Sequence, residues 1–254
     1  MYKTFTLTLL LLVNSSVFAG AIEIQPVTLE LSNAHPITSV AMKNLSPYPV
    51  LFQLYTKKWT QNKRGKDVYT ATQDLFFTPP IYHLAPNQQQ IIRLGLLKPN
   101  KTTKEQAYRL YFYQVNTWKN KPHPKGKFVL HIIYKINIPV FVKTPAALKP
   151  DVKWQLKLLR DHKLALVVHN LGNKHLYFYK IGLKSDKMAK PVMIQNTKLM
   201  YILAGNTRHW MLQEPKSIKG SHKLSAVAYT NLGTLTATCL YANEKTSKNR
   251  ANER

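Results

Sequence analysis

Residues 128–140, FVLHIIYKINIPV, alternate between apolar and mixed positions with a period of two. The apolar positions are Phe128, Leu130, Ile132, Tyr134, Ile136 and Ile138. This alternation predicts a β-strand with one apolar face, and the strand would exceed the usual length of about five or six residues. An uncovered apolar strand is an aggregation hazard, so the pattern also raises the question of what covers it.

Shorter alternating segments, separated by turn residues, fill the rest of the chain. Examples are AIEIQPVTLELS at 21–32 and AYRLYFYQVNTW at 107–118. Strands at short spacing without a clear amphipathic helix predict an all-β fold built from sandwiches. The proline-containing segment KTPAALKPDV at 143–152 predicts a joint between two domains. Lys143 in this joint is expected to help set the angle between them.

The first twenty residues, MYKTFTLTLLLLVNSSVFAG, have the features of a secretory signal peptide. Lys3 supplies the positive start, and an apolar stretch and small residues follow; an N-terminal helix of the fold is the alternative. No later segment is apolar for about 18 residues, so we expect the mature protein not to be embedded in a membrane. The expected domains are a signal peptide at 1–19, an N-terminal sandwich at 20–145, a C-terminal sandwich at 146–243 and a disordered polar tail at 244–254.

The net charge of the chain bears on its possible binding partners and not on its fold. The 254 residues include 37 Lys and Arg but only 11 Asp and Glu, which gives a formal net charge of +26. Such a surface suits a polyanion, an anionic membrane surface or an acidic protein. The lysines are scattered along the chain, so a solvated basic surface is the alternative. The single cysteine, Cys239, cannot form an internal disulfide and is predicted to be a buried core thiol.

Catalytic and metal-binding patterns are missing from the sequence. The nine histidines form no H-x-x-x-H or H-E-x-x-H pattern, and neither a glycine-rich phosphate loop nor a G-x-S-x-G elbow occurs. We therefore expect no enzyme activity, no metal and no cofactor. Aromatic and basic residues do interleave in NKHLYFYKIG at 173–182, as in some nucleic-acid sites, but an exported protein is not expected to bind nucleic acid.

Four segments together carry a family resemblance: TPPIYHLAPNQQQIIRLGL at 78–96, AYRLYF at 107–112, INIPVFVKTPA at 136–146 and YILAGNTRHW at 201–210. In their order and spacing the chain resembles a divergent member of the PapD-like periplasmic chaperones of the chaperone–usher pilus pathway. The resemblance implies two immunoglobulin-like β-sandwich domains in an L-shaped or boomerang arrangement. It also implies a periplasmic protein that binds pilus subunits, stabilises them and delivers them to an outer-membrane usher without a cofactor.

The resemblance gives the long strand a role. In donor-strand complementation, the last strand of the first domain is lent to a pilus subunit that lacks its own final strand. Four side chains are expected to fill the subunit's groove: Phe128, Leu130, Ile132 and Tyr134. Ile136 and Ile138 are expected to pack into the chaperone's own core. The alternative is that all six are core residues.

Similar proteins hold the subunit's terminal carboxylate with an arginine and a lysine, and this sequence departs from that pattern. Thr28 stands at the expected arginine position and Pro139 at the expected lysine position. The candidate replacement cations are Arg93, Arg109 and Lys135, with structural ion pairs as an equal alternative for the two arginines.

A second function remains open at this point. The net charge also fits a secreted basic module that binds anionic glycans or membrane surfaces. Such a module would require a clustered basic face and would have no need for an edge strand that another chain covers.

Overall fold

The computed structural model describes residues 22–115, 132–158, 163–186, 188, 190–193, 200–213 and 223–240, and these residues form strands and no helix. The first ten strands are β1 Ile22–Gln25, β2 Leu29–Leu31, β3 Ile37–Asn44, β4 Val50–Gln61, β5 Asp67–Ala71, β6 Leu75–Thr78, β7 Ile81–Leu84, β8 Gln89–Leu96, β9 Gln106–Gln114 and β10 Lys135–Val142. The later strands are β11 Val152–Leu158, β12 Lys163–Asn170, β13 Leu176–Ser185, β14 Val192–Met193, β15 Met200–Ile202, β16 Thr207–Gln213, β17 Lys223–Thr230 and β18 Gly233–Leu240.

The N-terminal sandwich packs two sheets face to face. One sheet has the order β1-β3-β8-β6, and the other has the order β2-β10-β9-β4-β5 with β7 also paired to β4. Alternate residues of both sheets meet in one core that includes Phe52, Leu94, Phe112 and Val140. Strands β2 and β10 pair in parallel, whereas the neighbouring pairs are antiparallel.

The C-terminal sandwich is built in the same way. A sheet β11-β12-β16 packs on a sheet β14-β13-β17-β18, with β15 paired to β13. Its core contains Leu166, Phe178, Leu183 and Leu224. The predicted all-β class and the two sandwiches are therefore confirmed, and no strand occurs between Val142 and Val152, where the joint was predicted. The domain bounds and the L-shaped arrangement stay predictions, and residues 1–19, Cys239's side chain and the tail at 244–254 lie outside the description.

The long strand begins later and ends later than its sequence pattern predicted. Within the described residues it runs from Lys135 to Val142, because its partner β9 ends at Gln114 and Lys135 already pairs with Tyr113. Proline is tolerated on edge strands, and Pro139 lies where β9 is the only described partner of β10.

Asn100 fixes the end of β10 from a buried position. Its side-chain amide donates to the carbonyls of Val142 and Lys143, each at 3.3 Å, and to that of Lys104 at 3.1 Å. Its side-chain oxygen accepts the Thr102 N–H at 2.9 Å. The loop before β9 is thereby tied to the residues that follow the edge strand.

We expect Asn100→Ala to lower the free energy of unfolding by about 1–3 kcal/mol, because it leaves buried backbone groups without their hydrogen bonds. Urea unfolding followed by circular dichroism measures the change. The exposed Asn137 on β10 supplies the control, since Asn137→Ala should shift stability by no more than about 0.5 kcal/mol. Equal stability of the two variants would contradict this role of Asn100.

Candidate functional site

The N-terminal half of β10 is an open sheet edge. Residues 135–139 pair with β9 on one side, whereas β2 pairs on the other side only with residues 140–142. Among the described strands, nothing pairs with the first half of β10 on that side. An unpaired edge can accept a strand from another chain.

The apolar residues of the predicted alternating strand become more buried along the chain, from the predicted donor residues to the predicted core residues. Ile132 is 56% exposed, Tyr134 and Ile136 are half-buried against the N-terminal core, and Ile138 is only 4% exposed. Ile138 therefore belongs to the N-terminal core, as predicted, and Ile136 packs against that core. Phe128 and Leu130 lie outside the described residues.

The outer face of the β10 sheet meets the second domain at an aromatic cluster. Trp59 and Phe141 are buried there together with Leu203 from the C-terminal sandwich. The Trp59 ring meets Tyr201 edge-on at 5.2 Å between centroids, and His175 stacks on Phe141 at 3.6 Å. Burial of these rings joins the two sandwiches through apolar contact and ring stacking.

A buried polar pair joins the domains beside this cluster. His175 Nδ1 lies 2.6 Å from Glu105 Oε1, and the His175 backbone N–H donates to the same oxygen at 3.0 Å. The two side chains are 8% and 3% exposed. Sequence patterns had not singled out either residue, since the two lie 70 positions apart and neither belongs to a short motif.

Glu30 on β2 adds a more exposed contact. Its carboxylate lies 2.5 Å from Lys143 Nζ and 4.0 Å from Lys174 Nζ, so it connects the joint and the second domain. Burial alone would raise the pKa of Glu30, but the hydrogen bond from Lys143 and the positive charges of Lys143 and Lys174 hold that pKa below its ordinary value. The contact agrees with the expected role of Lys143 at the joint.

Arg109 occupies the region that Thr28 and Pro139 leave without a cation. Pro139 pairs directly with Arg109 in the sheet register, and Thr28 is half-buried directly before β2. The Arg109 guanidinium lies 4.0 Å from the centroid of Trp59 and 5.5 Å from that of Tyr201. Its Nε is buried and has no hydrogen-bond partner within the described part of the chain.

The other two candidate cations lie in different places. Arg93 is exposed on β8, in the opposite sheet, between the buried residues Ile92 and Leu94. It is therefore on the outer surface of that sheet and does not meet Arg109. Lys135 begins β10, and its ammonium lies 5.1 Å from the Tyr113 ring centroid. Arg109 and Lys135 share the outer face of one sheet.

The described residues contain no group of three or more His, Cys, Asp and Glu side chains arranged to hold a metal ion. They also contain no helix of the length and apolarity that crossing a membrane requires.

Comparison with known proteins places the chain in a family. Residues 21–149 match the family described as "Pili and flagellar-assembly chaperone, PapD N-terminal domain". The chain belongs to this family. The predicted resemblance to PapD-like chaperones is confirmed, and comparison with curated proteins found no match.

Solved structures of pilus chaperones share the fold over most of both chains. The CsuC–CsuE chaperone–tip adhesion subunit complex of Acinetobacter baumannii matches with a TM-score of 0.61 and 19% identity, covering 88% of this chain and 100% of that one. The E. coli chaperone DraB matches with a TM-score of 0.56 and 15% identity, covering 88% and 97%. The SafA pilin–SafB chaperone complex of Salmonella enterica matches with a TM-score of 0.56 and 14% identity, covering 87% and 96%. At these identities the likeness shows the fold.

We expect Glu105→Ala to lower the free energy of unfolding by about 1–3 kcal/mol, because it leaves the buried polar groups of His175 without their hydrogen-bond acceptor. Urea unfolding monitored by tryptophan fluorescence measures the loss. Glu23→Ala is the matched control, since Glu23 is exposed on β1 and its removal should cost no more than about 0.5 kcal/mol. An unchanged midpoint for Glu105→Ala would show that the pair does not stabilise the junction.

Proposed function

We propose that this chaperone binds newly exported pilus subunits in the periplasm by lending them a strand, and then delivers them to an outer-membrane usher. The observation that carries the proposal is the open edge of β10, which continues toward the N-terminus into exposed Ile132. The alternation of apolar residues continues in sequence to Phe128. A subunit that lacks its final strand needs a partner with this combination of free backbone edge and apolar side chains.

Strand lending would bury Ile132, which the structure leaves 56% exposed. Phe128, Leu130, Ile132 and Tyr134 are the proposed occupants of the subunit groove. Each large apolar side chain contributes about 1.5–3 kcal/mol on burial, before the entropy cost of association. The CsuC–CsuE and SafB–SafA structures contain chaperones with their subunits, which supports the same type of partner for this chain.

Arg109 is the proposed anchor for the subunit's terminal carboxylate. Its guanidinium is held in place by Trp59 and Tyr201, and the side chain as a whole is only partly buried. A charge-assisted bond from a preorganised guanidinium is strong and fixes the register of the bound strand. Lys135 is a secondary candidate on the same face, whereas the position of Arg93 on the opposite sheet does not support an anchoring role.

No chemical step enters this function. Holding and transferring a subunit requires only strand pairing and side-chain burial, so neither a cofactor nor ATP is involved. Release occurs when the extension of the next subunit replaces the lent strand. Export through the N-terminal signal segment accounts for a periplasmic location.

The direct experiment is a pull-down of the tagged mature protein from the periplasm of its source cell, with mass identification of bound partners. A small immunoglobulin-like partner held one to one, at salt that screens surface charge, is the expected result. Recovery of only polyanions that wash off as salt rises would overturn the proposal and favour a basic binding module for glycans or membrane surfaces.

Ile132→Asp should abolish subunit capture while leaving the chaperone folded, because a carboxylate cannot enter an apolar groove without a large desolvation cost. Ile91→Asp is the matched control: it places the same charge on an isoleucine that is 54% exposed on β8, in the opposite sheet. Co-purification yield measures capture and circular dichroism checks the fold. Undiminished capture by Ile132→Asp would show that the assigned strand is wrong.

Arg109→Ala should weaken capture at least about tenfold, since a hydrogen bond to a charged group contributes about 1.5–3 kcal/mol. Arg93→Ala removes the same charge from the opposite sheet and should leave capture unchanged. Affinity for the recovered subunit and the melting temperature are measured for both variants. If Arg109→Ala lowers the melting temperature but captures normally, Arg109 only stabilises the aromatic junction and the anchor assignment falls.

A further inference from the structure

The outer face of β4, β5 and β9 carries an ordered set of tyrosines. Tyr55 and Tyr111 stack at 4.8 Å between centroids with an interplanar angle of 8°. Tyr69 meets Tyr111 edge-on at 6.4 Å and 90°. Tyr55 and Tyr69 are each 38% exposed, so the second domain leaves this part of the sheet accessible.

Two lysines extend from the same face and are held by the rings. Lys57 Nζ lies 5.8 Å from the centroids of both Tyr55 and Tyr111, and Lys135 lies over Tyr113. Within the described residues neither lysine has a carboxylate within salt-bridge distance. Cation–π contact positions these ammonium groups without neutralising them.

The acidic residue on the neighbouring strand β5, Asp67, already has partners within the protein. Asp67 accepts a hydrogen bond from Trp59 Nε1 at 3.0 Å and lies 3.6 Å from Arg208 of the second domain. It therefore belongs to the domain junction, and within the described residues Lys57 and Lys135 have no acidic partner. The positive charge of the face remains available to another molecule.

The phenol groups add hydrogen-bond donors to this charge. Burial raises the pKa of Tyr111, as does the neighbouring Tyr69. Burial and the charge of Asp67 raise the pKa of Tyr69, although Arg109 acts in the opposite direction. Both hydroxyls are protonated at neutral pH and can donate to carboxylates.

We propose that this tyrosine–lysine face, formed by Tyr55, Lys57, Tyr69, Tyr111, Tyr113 and Lys135, docks an acidic segment of the subunit that β10 captures. The inference rests on the proposed function and adds the chemistry of the subunit segment that is bound. Lys135 lies on β10 itself, so the face is continuous with the open edge. Its unneutralised cations and hydroxyl donors complement carboxylates, and such complementarity mainly raises the rate of association and its specificity.

Ring geometry favours an acidic peptide over a sugar. Tyr55 and Tyr111 turn their planes toward each other, so these two planes stack on one another rather than on a ligand. The ring edges and hydroxyl groups of these tyrosines remain available to a ligand, and the hydroxyl groups can donate hydrogen bonds to its acceptors. An anionic glycan is therefore the competing ligand that the test must separate.

Lysine footprinting provides the first arm of the test. The probe is octaglutamate with an acetylated N-terminus and an amidated C-terminus, so it carries no terminal carboxylate of the kind proposed for Arg109. Lysines of the mature protein are acetylated with and without the probe and located by mass spectrometry. We expect at least about fivefold protection of Lys57 and Lys135, and little protection of exposed Lys153 and Lys163 in the second domain.

Uniform protection of all lysines, or none, would overturn the proposal. A heparin tetrasaccharide is run in parallel under the same conditions. If heparin protects Lys57 and Lys135 and octaglutamate does not, the face belongs to sulfated glycans and the acidic-subunit proposal falls.

The second arm measures capture of the subunit recovered in the pull-down. Lys57→Glu should slow association about tenfold at low ionic strength and much less at high ionic strength. Lys153→Glu carries the same charge change on the second domain and should behave as wild type. Equal effects of both variants would attribute the change to net charge and overturn the docking role.

The two proposals fail in different ways. If the wild-type protein captures no subunit, the strand-lending function fails, and the footprint alone then shows whether the face binds acidic peptide. If Ile132→Asp abolishes capture but Lys57→Glu captures at the wild-type rate, strand lending stands and only the docking face is rejected.

Discussion

One strand must serve as core and as open edge at the same time, and the N-terminal sandwich is arranged around that requirement. The C-terminal half of β10 is secured by parallel pairing with β2, by burial of Val140 and Val142, and by Asn100 at its end. The N-terminal half has only β9 as a described partner. Because rigid packing holds one half, the other half can stay extended and unpaired without the entropy cost of ordering it upon binding.

The second domain determines which part of the outer face is accessible. It covers Trp59 and Phe141 and pairs His175 with Glu105, which leaves Arg109 at the margin between covered and open surface. Stacking on Trp59 fixes the guanidinium there. A cation on β9 thus lies beside Pro139, although the similar proteins were expected to carry their cations at positions 28 and 139.

Local pattern predicted much of the fold, because the alternation of side chains in a strand is a property of adjacent residues. The all-β class, the two sandwiches and the burial of Ile138 follow from it. Which sheet a strand joins is not a local property. Arg93 and Arg109 both stand in alternating apolar strands, yet only the partner strands of β8 and of β9 show that the two arginines lie on opposite sheets. The Glu105–His175 pair and the tyrosine stack across β4 and β9 likewise depend on register between distant segments.

The parallel pairing of β2 with β10 has a consequence for the order in which the parts of the first sandwich fold. Leu29 pairs with Val140, so the first sandwich closes only when nearly its whole sequence is present in one compartment. Non-local closure of this kind is slow, so the first sandwich is expected to complete its fold late, after nearer segments of the chain have paired.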